Sequence, residues 1–193
     1  MRADMIDVAA AFLVKELNAY MLARTGTSFG SALLSRVVGD NGKWAIPDDQ
    51  VGVALVSVEE ERALRSQVPQ TAYADGRQVV LEPELKLNLH LLVAANFKQY
   101  DQGLRQLALV LTFFQSHAVF TRERNPGLDP RIEKLGVDLL SLTFEQLNQL
   151  WTFVGAKQLP SAVYRVRLIA LQDLQPSAVQ PPITTIGSSI EAI

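Results

Sequence analysis

The chain contains no cysteine. Disulfides, thiolate metal sites and a cysteine nucleophile are excluded by that fact alone. It has two histidines, His90 and His117, and neither stands in an HxxxH or HExxH spacing. No run of five like charges occurs. The 18 Lys and Arg nearly balance the 20 Asp and Glu, leaving a formal charge of −2, so nothing announces a nucleic-acid face. No apolar run approaches the roughly 20 residues that cross a bilayer. The N-terminal stretch is interrupted by Asp4, Asp7, Lys15 and Glu16 and lacks the apolar core of a signal peptide. The expectation is a soluble protein made in the cytoplasm, with no membrane insertion. The phosphate-cradling GxxxxGK[ST] and GxGxxG patterns and the GxSxG elbow are missing too, and no serine stands beside a credible base.

What is present reads as a folded core. At 193 residues, with 48% hydrophobic and 20% charged residues, the chain suits one large domain, or a domain with an appendage. Ile6, Ala10, Leu13, Leu17 and Tyr20 recur at helical spacing and predict a helix over about 4 to 24, capped by Asp4 and ended by Gly26. Residues 31–38 and 51–58 read as strands, the second apolar on both faces. The stretch from 59 to 78 has no clear period and predicts a structureless connection or a partner contact. A strand follows over about 84 to 95, with Leu85, Leu87, Leu89 and Leu91 alternating with Lys86, Asn88 and His90.

The segment 100–117 predicts a helix with an unusual composition. Leu104, Leu107, Leu109, Val110, Leu111, Phe113 and Phe114 point in almost every direction around it, and Arg105 is the only charge from 103 to 120. A surface helix ordinarily shows one apolar stripe. After a polar loop, 133–142 reads as a strand with Leu135, Val137 and Leu139 on one side. Thr143 and Gln146 predict a capping box for a helix to about 154, ended by Gly155. The last strand, 162–171, puts Tyr164, Val166 and Leu168 on one face and Arg165 and Arg167 on the other. The order α, β, β, β, α, β, α, β predicts an α+β domain with a mostly antiparallel or mixed sheet and about three helices, over 1–172. Residues 173–193 form a Pro-rich tail that carries Ile183, Ile186 and Ile190. It is either disordered or an arm that docks on a neighbour.

Few residues invite chemistry. His90 shares its strand face with Lys86 and Asn88, which fits an edge or exposed position, and His117 ends a helix, where positive charge is favoured. Glu59, Glu60 and Glu61 close a strand and resemble a cation cluster. Consecutive strand residues face opposite ways, however, no Asp-rich loop accompanies them, and Arg62 and Arg65 follow immediately, so ion pairs in a turn or across a subunit boundary account for them better than a metal site. Arg165 and Arg167 are either solvated or aimed at acidic groups of another subunit. Trp44 has the chemistry to stack on a ligand, while Trp151 sits at core spacing in its helix.

Four segments together carry a resemblance. They are the start "MIDVAAAFLVKELNAYM", "LVSVEEERALR" (55–65), "LNLHLLVAANFKQYDQGLRQLALVLTFFQSHAVF" (87–120) and "LNQLWTFVGAKQLPSAVYRVRLIAL" (147–171). In order, over nearly all of 3–172, the chain resembles the cap, or tail-terminator, proteins of contractile injection systems. One departure is Ser57, where an Asn is expected. The resemblance implies a homohexameric ring that ends the inner tube, holds the last sheath layer and uses neither a cofactor nor catalytic residues. It also implies that sheath and inner-tube proteins are the partners, in a particle that is released or docked. Candidate interface residues are Glu59, Glu60, Arg62, Arg65, Arg165, Arg167, Ile183, Ile186 and Ile190. The final strand or the tail is the candidate for pairing with a sheath strand. Two other readings stay open: a small-molecule or metal-binding enzyme built on Glu59, Glu60 and Glu61, and an assembly adaptor absent from the finished particle.

Overall fold

The structure, a computed structural model, describes residues 5–61, 70–74, 77–81, 85–171 and 178–180. Helix α1 spans Met5–Thr25 and buries Met5, Ala9, Phe12, Leu13, Leu17 and Met21. Its expected N-cap, Asp4, lies outside the described residues. Its end is at Gly26, which adopts a left-handed φ of 70° and donates its N–H to Leu22 O at 2.8 Å.

Strand β1 (Ala32–Leu34) runs parallel to β2 (Gln50–Glu60). Only three of the eight residues expected there form a strand. Past Leu34 the chain leaves the sheet and folds back over it, because Val37 and Ile46 are buried on the far side. Gly52 admits that loop: a Cβ at this position would overlap the Ile46 side chain.

The connection expected to be structureless contains a hairpin, β3 (Gln70–Ala74) and β4 (Arg77–Leu81), paired from Gln70↔Leu81 to Ala74↔Arg77. That register leaves Asp75 and Gly76 between the strands, a dipeptide with a strong preference for two-residue hairpin loops. The hairpin continues into a three-stranded sheet through β9 (Ala178–Gln180), which pairs with β4 from within the Pro-rich tail.

The main sheet is completed by β5 (Leu85–Asn96), β6 (Val119–Thr121), β7 (Lys134–Leu140) and β8 (Ser161–Leu171), with α2 (Tyr100–Ser116) and α3 (Phe144–Val154) between them in sequence. Its order is β1-β2-β5-β8-β7-β6, antiparallel except at β1. The domain is α+β with a mixed sheet and three helices among the described residues. β6 lies at the start of what reads in the sequence as a plain loop.

Each face of the sheet has its own core. On one, α1 and α2 close over Leu89, Leu91, Val93, Val137, Tyr164 and Val166, with Phe12, Phe113 and Phe120 packed ring against ring. On the other, Trp151 of α3 joins Val37, Ile46, Ala54, Leu92, Ala94 and Val163. Strand β5 supplies both cores and is buried on both sides from Leu91 to Ala95. Helix α3 starts as its sequence demands. Gln146 N donates to Thr143 Oγ1 at 3.2 Å and Thr143 N donates to Gln146 Oε1 at 3.0 Å, while Gly155 ends the helix at φ 75°.

Candidate functional site

Because α3 covers only part of its face, the remainder of that face is polar. The strand register draws one row across it: Ser57 opposite His90, His90 opposite Arg165, and Arg165 opposite Asp138. Glu59 Oε2 lies 3.6 Å from His90 Nε2. Asp138 takes both arginines. Arg167 Nε lies 2.7 Å from Oδ2, its Nη2 donates to Oδ1 at 3.1 Å, and Arg165 Nη2 stands 3.8 Å from Oδ2. Gly136 lies under the Arg167 side chain, where a Cβ would stand 3.7 Å from Nε, in ordinary van der Waals contact. The two guanidinium groups thus share one carboxylate inside the chain. Sequence spacing offered only solvent or a neighbouring subunit as their surroundings, because the partner sits on a strand distant in sequence. These side chains are a third to a half exposed, so the pairs stabilise the protomer only modestly, by up to about 1 kcal/mol.

The other expected residues divide. Glu59 and Glu60 close β2 opposite Asn88 and Leu87, hence on opposite faces. Arg62, Arg65, Ile183, Ile186 and Ile190 lie outside the described residues. Among the described residues no three His, Asp or Glu side chains converge to hold a metal ion. The last strand is not an edge as expected: β8 runs between β5 and β7. Only past Arg167, where the pairing with β7 stops, does it lack a second neighbour among the described strands.

His117 is tied into the structure locally. Its Nδ1 lies 3.1 Å from Phe113 O and 2.9 Å from Ser116 Oγ, and its ring stacks on Phe113 with centroids 4.9 Å apart. Tyr164 is buried in the helix-side core, and that burial pushes its hydroxyl up to about 12. Asp129 is held down to about 2, chiefly by the side-chain hydrogen bond from Arg131, aided by that residue's backbone N–H at 2.9 Å. An open cleft of about 650 Å³ lies between β6 and the 122–133 loop, lined by Arg122, Glu123, Pro126, Leu128, Glu133 and Lys134. Among the described residues, no helix is long and apolar enough to cross a membrane.

Apolar side chains stand uncovered on both sides of the sheet. Tyr100, Leu104 and Leu111 are exposed along one stripe of α2, with half-buried Leu107 between it and the side that buries Gly103, Gln106, Val110, Phe113 and Phe114. This answers the all-round apolar composition of that helix: the chain covers one side and leaves a second. On α3, Phe144 is 93% exposed and Phe153 80% exposed. The composition of α2 signalled such a surface, but nothing about the period of α3 marks its two phenylalanines as uncovered.

Comparison with known proteins agrees with this picture. The family described as "Pvc16 N-terminal domain" matches residues 9–185. The fold is similar to a cryo-EM structure of the sheath/tube terminator of an extracellular contractile injection system, PVC, in its extended state (15% identity, TM-score 0.56, covering 92% of this chain and 62% of the other). It is also similar to the tube-terminating cap of the anti-feeding prophage (16% identity, TM-score 0.58, covering 94% and 60%). The chain therefore spans about three-fifths of the length of these structures. No curated protein sequence matches it.

Proposed function

The chain belongs to the family of the Pvc16 N-terminal domain, and from that premise we propose that it is a structural terminator of a contractile injection particle. It works by binding without turnover. Copies of the chain close into a ring, a homohexamer, that meets the last layer of inner tube and sheath and offers no surface for a further layer. The protein is made in the cytoplasm and becomes part of a particle that is released or docked. Its domain, 1–172, supplies the ring, and the tail, 173–193, carries a docking arm with Ile183, Ile186 and Ile190.

The observation that carries this reading is the likeness to two terminators over more than nine-tenths of the chain. The exposed stripe of α2 and the exposed Phe144 and Phe153 support it, since assembly subunits bury such side chains against neighbours. Glu59, Glu60, Arg62, Arg65, Arg165 and Arg167 form the polar margin of these contacts.

Light scattering coupled to size-exclusion chromatography tests the ring, with an expected mass about six times 21.3 kDa that falls on dilution. A chain that stays monomeric at high concentration and is missing from purified particles by mass spectrometry would be an adaptor instead.

A further inference from the structure

Among the described residues the outer edge of β2 is open past Val53, and its chemistry specifies what fits there. At the start of the strand the edge is occupied. Val51 N donates to Ser31 O at 3.1 Å and Ser35 N donates to Val53 O at 3.1 Å, so the backbone groups of Val51 and Val53 point outward to β1. Beyond Val53 no described strand lies beside β2. The alternation carries the outward direction on to Leu55. A bulge between Leu55 and Ser57 then shifts it by one residue. Glu61 N donates inward to Lys86 O at 2.8 Å, which places Val58 outward again. Leu55 and Val58 therefore present main-chain N–H and C=O groups along a segment, 54–59, of ordinary strand length.

The β1 edge is treated differently. The outward groups of Ala32 are closed by a side chain of α1: Ala32 N donates to Asn18 Oδ1 at 2.7 Å and Asn18 Nδ2 donates to Ala32 O at 2.8 Å. This is a plug against strand addition. The β2 edge has no such plug among the described residues.

Side chains beside the open edge are sorted by face. Leu34, Leu55 and Val58 lie on the helix side and are each more than 40% exposed. Ser57 and Glu59 lie on the other side, where Glu59 is 60% exposed. We propose that this edge takes an extended segment of a partner protein, added as a further strand, in which apolar residues alternate with lysine or arginine. The apolar residues cover Leu34, Leu55 and Val58, and the basic residues meet Glu59. The inference rests on the edge itself and holds whether or not the chain terminates a tube.

Hydrogen exchange on the full chain tests it with two synthetic eight-residue peptides, one alternating valine with lysine and its twin alternating valine with glutamate. Saturating valine–lysine peptide is expected to slow exchange at the Leu55 and Val58 amides by about tenfold or more. The valine–glutamate peptide leaves them unchanged. Leu55→Lys abolishes the protection while the melting temperature holds. If that variant fails to fold, Glu59→Lys serves in its place and reverses the preference between the peptides. Protection that is absent, equal with both peptides, or found at 168–171 instead of the β2 edge overturns the proposal. So does a chain whose Leu55 and Val58 amides are already protected by pairing with a second copy.

Discussion

The two faces of the main sheet are built from the same strands and are finished differently. The helix face is closed over its centre, where α1 and α2 cover Phe12, Phe113, Phe120 and the β5 and β8 side chains, and it is left open toward β2, at Leu34, Leu55 and Val58. The opposite face is closed only where α3, Trp151 and the loop carrying Ile46 reach it. Past them it turns into the row of Ser57, His90, Arg165 and Asp138. The difference assigns tasks. Apolar area removed from water within the protomer holds the fold, whereas a polar, half-exposed row contributes little stability and remains available to a partner. If the division is real, substitutions in the closed regions cost stability, and substitutions in the open row cost assembly.

Leu92 offers the largest effect. It is fully buried on β5 beneath Trp151's cluster. Leu92→Ala removes three buried carbons and leaves a cavity, for an expected loss of about 3–4 kcal/mol. The urea midpoint should fall steeply with an unchanged slope. A loss below about 1 kcal/mol would mean that the α3 side is not a true core, and the contrast between closed and open parts of that face would fail.

Tyr164 makes the next test, from the closed face. Burial raises its hydroxyl to about 12, against about 10 in an unfolded chain. The folded value lies above the unfolded one, so the contribution is complete below pH 10 and is lost as pH rises from 10 toward 12. The expected decline is roughly 2 kcal/mol by pH 12. Tyr164→Phe should remove this alkaline limb from a plot of stability against pH and leave the neutral region nearly unaltered. Asp129 works in the opposite direction at the other extreme: its contribution is present above the ordinary carboxylate range and disappears as pH falls through about 2.

Legibility in the sequence follows the range of the interactions. The α3 capping box and the left-handed Gly155 could be read directly, because every atom involved lies within a few residues. The apolar circumference of α2 was likewise visible, and so was the alternation that set Arg165 and Arg167 on one face. The β3–β4 hairpin has a local signal in Asp75-Gly76, but its strands are only five residues each and lack a clean alternation. What no local pattern carried was strand order. Placing β8 inside the sheet, opening the edge of β2 past Val53 and bringing Asp138 to both arginines all depend on long-range register. Local sequence does not encode that register, since a strand's own alternation is the same whichever neighbour it pairs with.

The smallest expected change in stability sharpens the comparison most. Replacing Arg165 and Arg167 together by glutamine removes both charges from Asp138 but keeps the side-chain stems as far as Cδ. With all three groups a third to a half exposed, solvent already screens the pairs, and the loss should stay near 1 kcal/mol or below. The circular dichroism spectrum and melting temperature should scarcely move. If the open row is an assembly surface, the same variant forms fewer rings at a given concentration, and the deficit shrinks as salt is added, because screening weakens the charge contacts that only the wild type makes. A stability loss as large as that of Leu92→Ala, with ring formation unaltered, would reverse the assignment: the row would belong to the core of the protomer, and the contacts between copies would have to rest on the uncovered side chains of α2 and α3 alone.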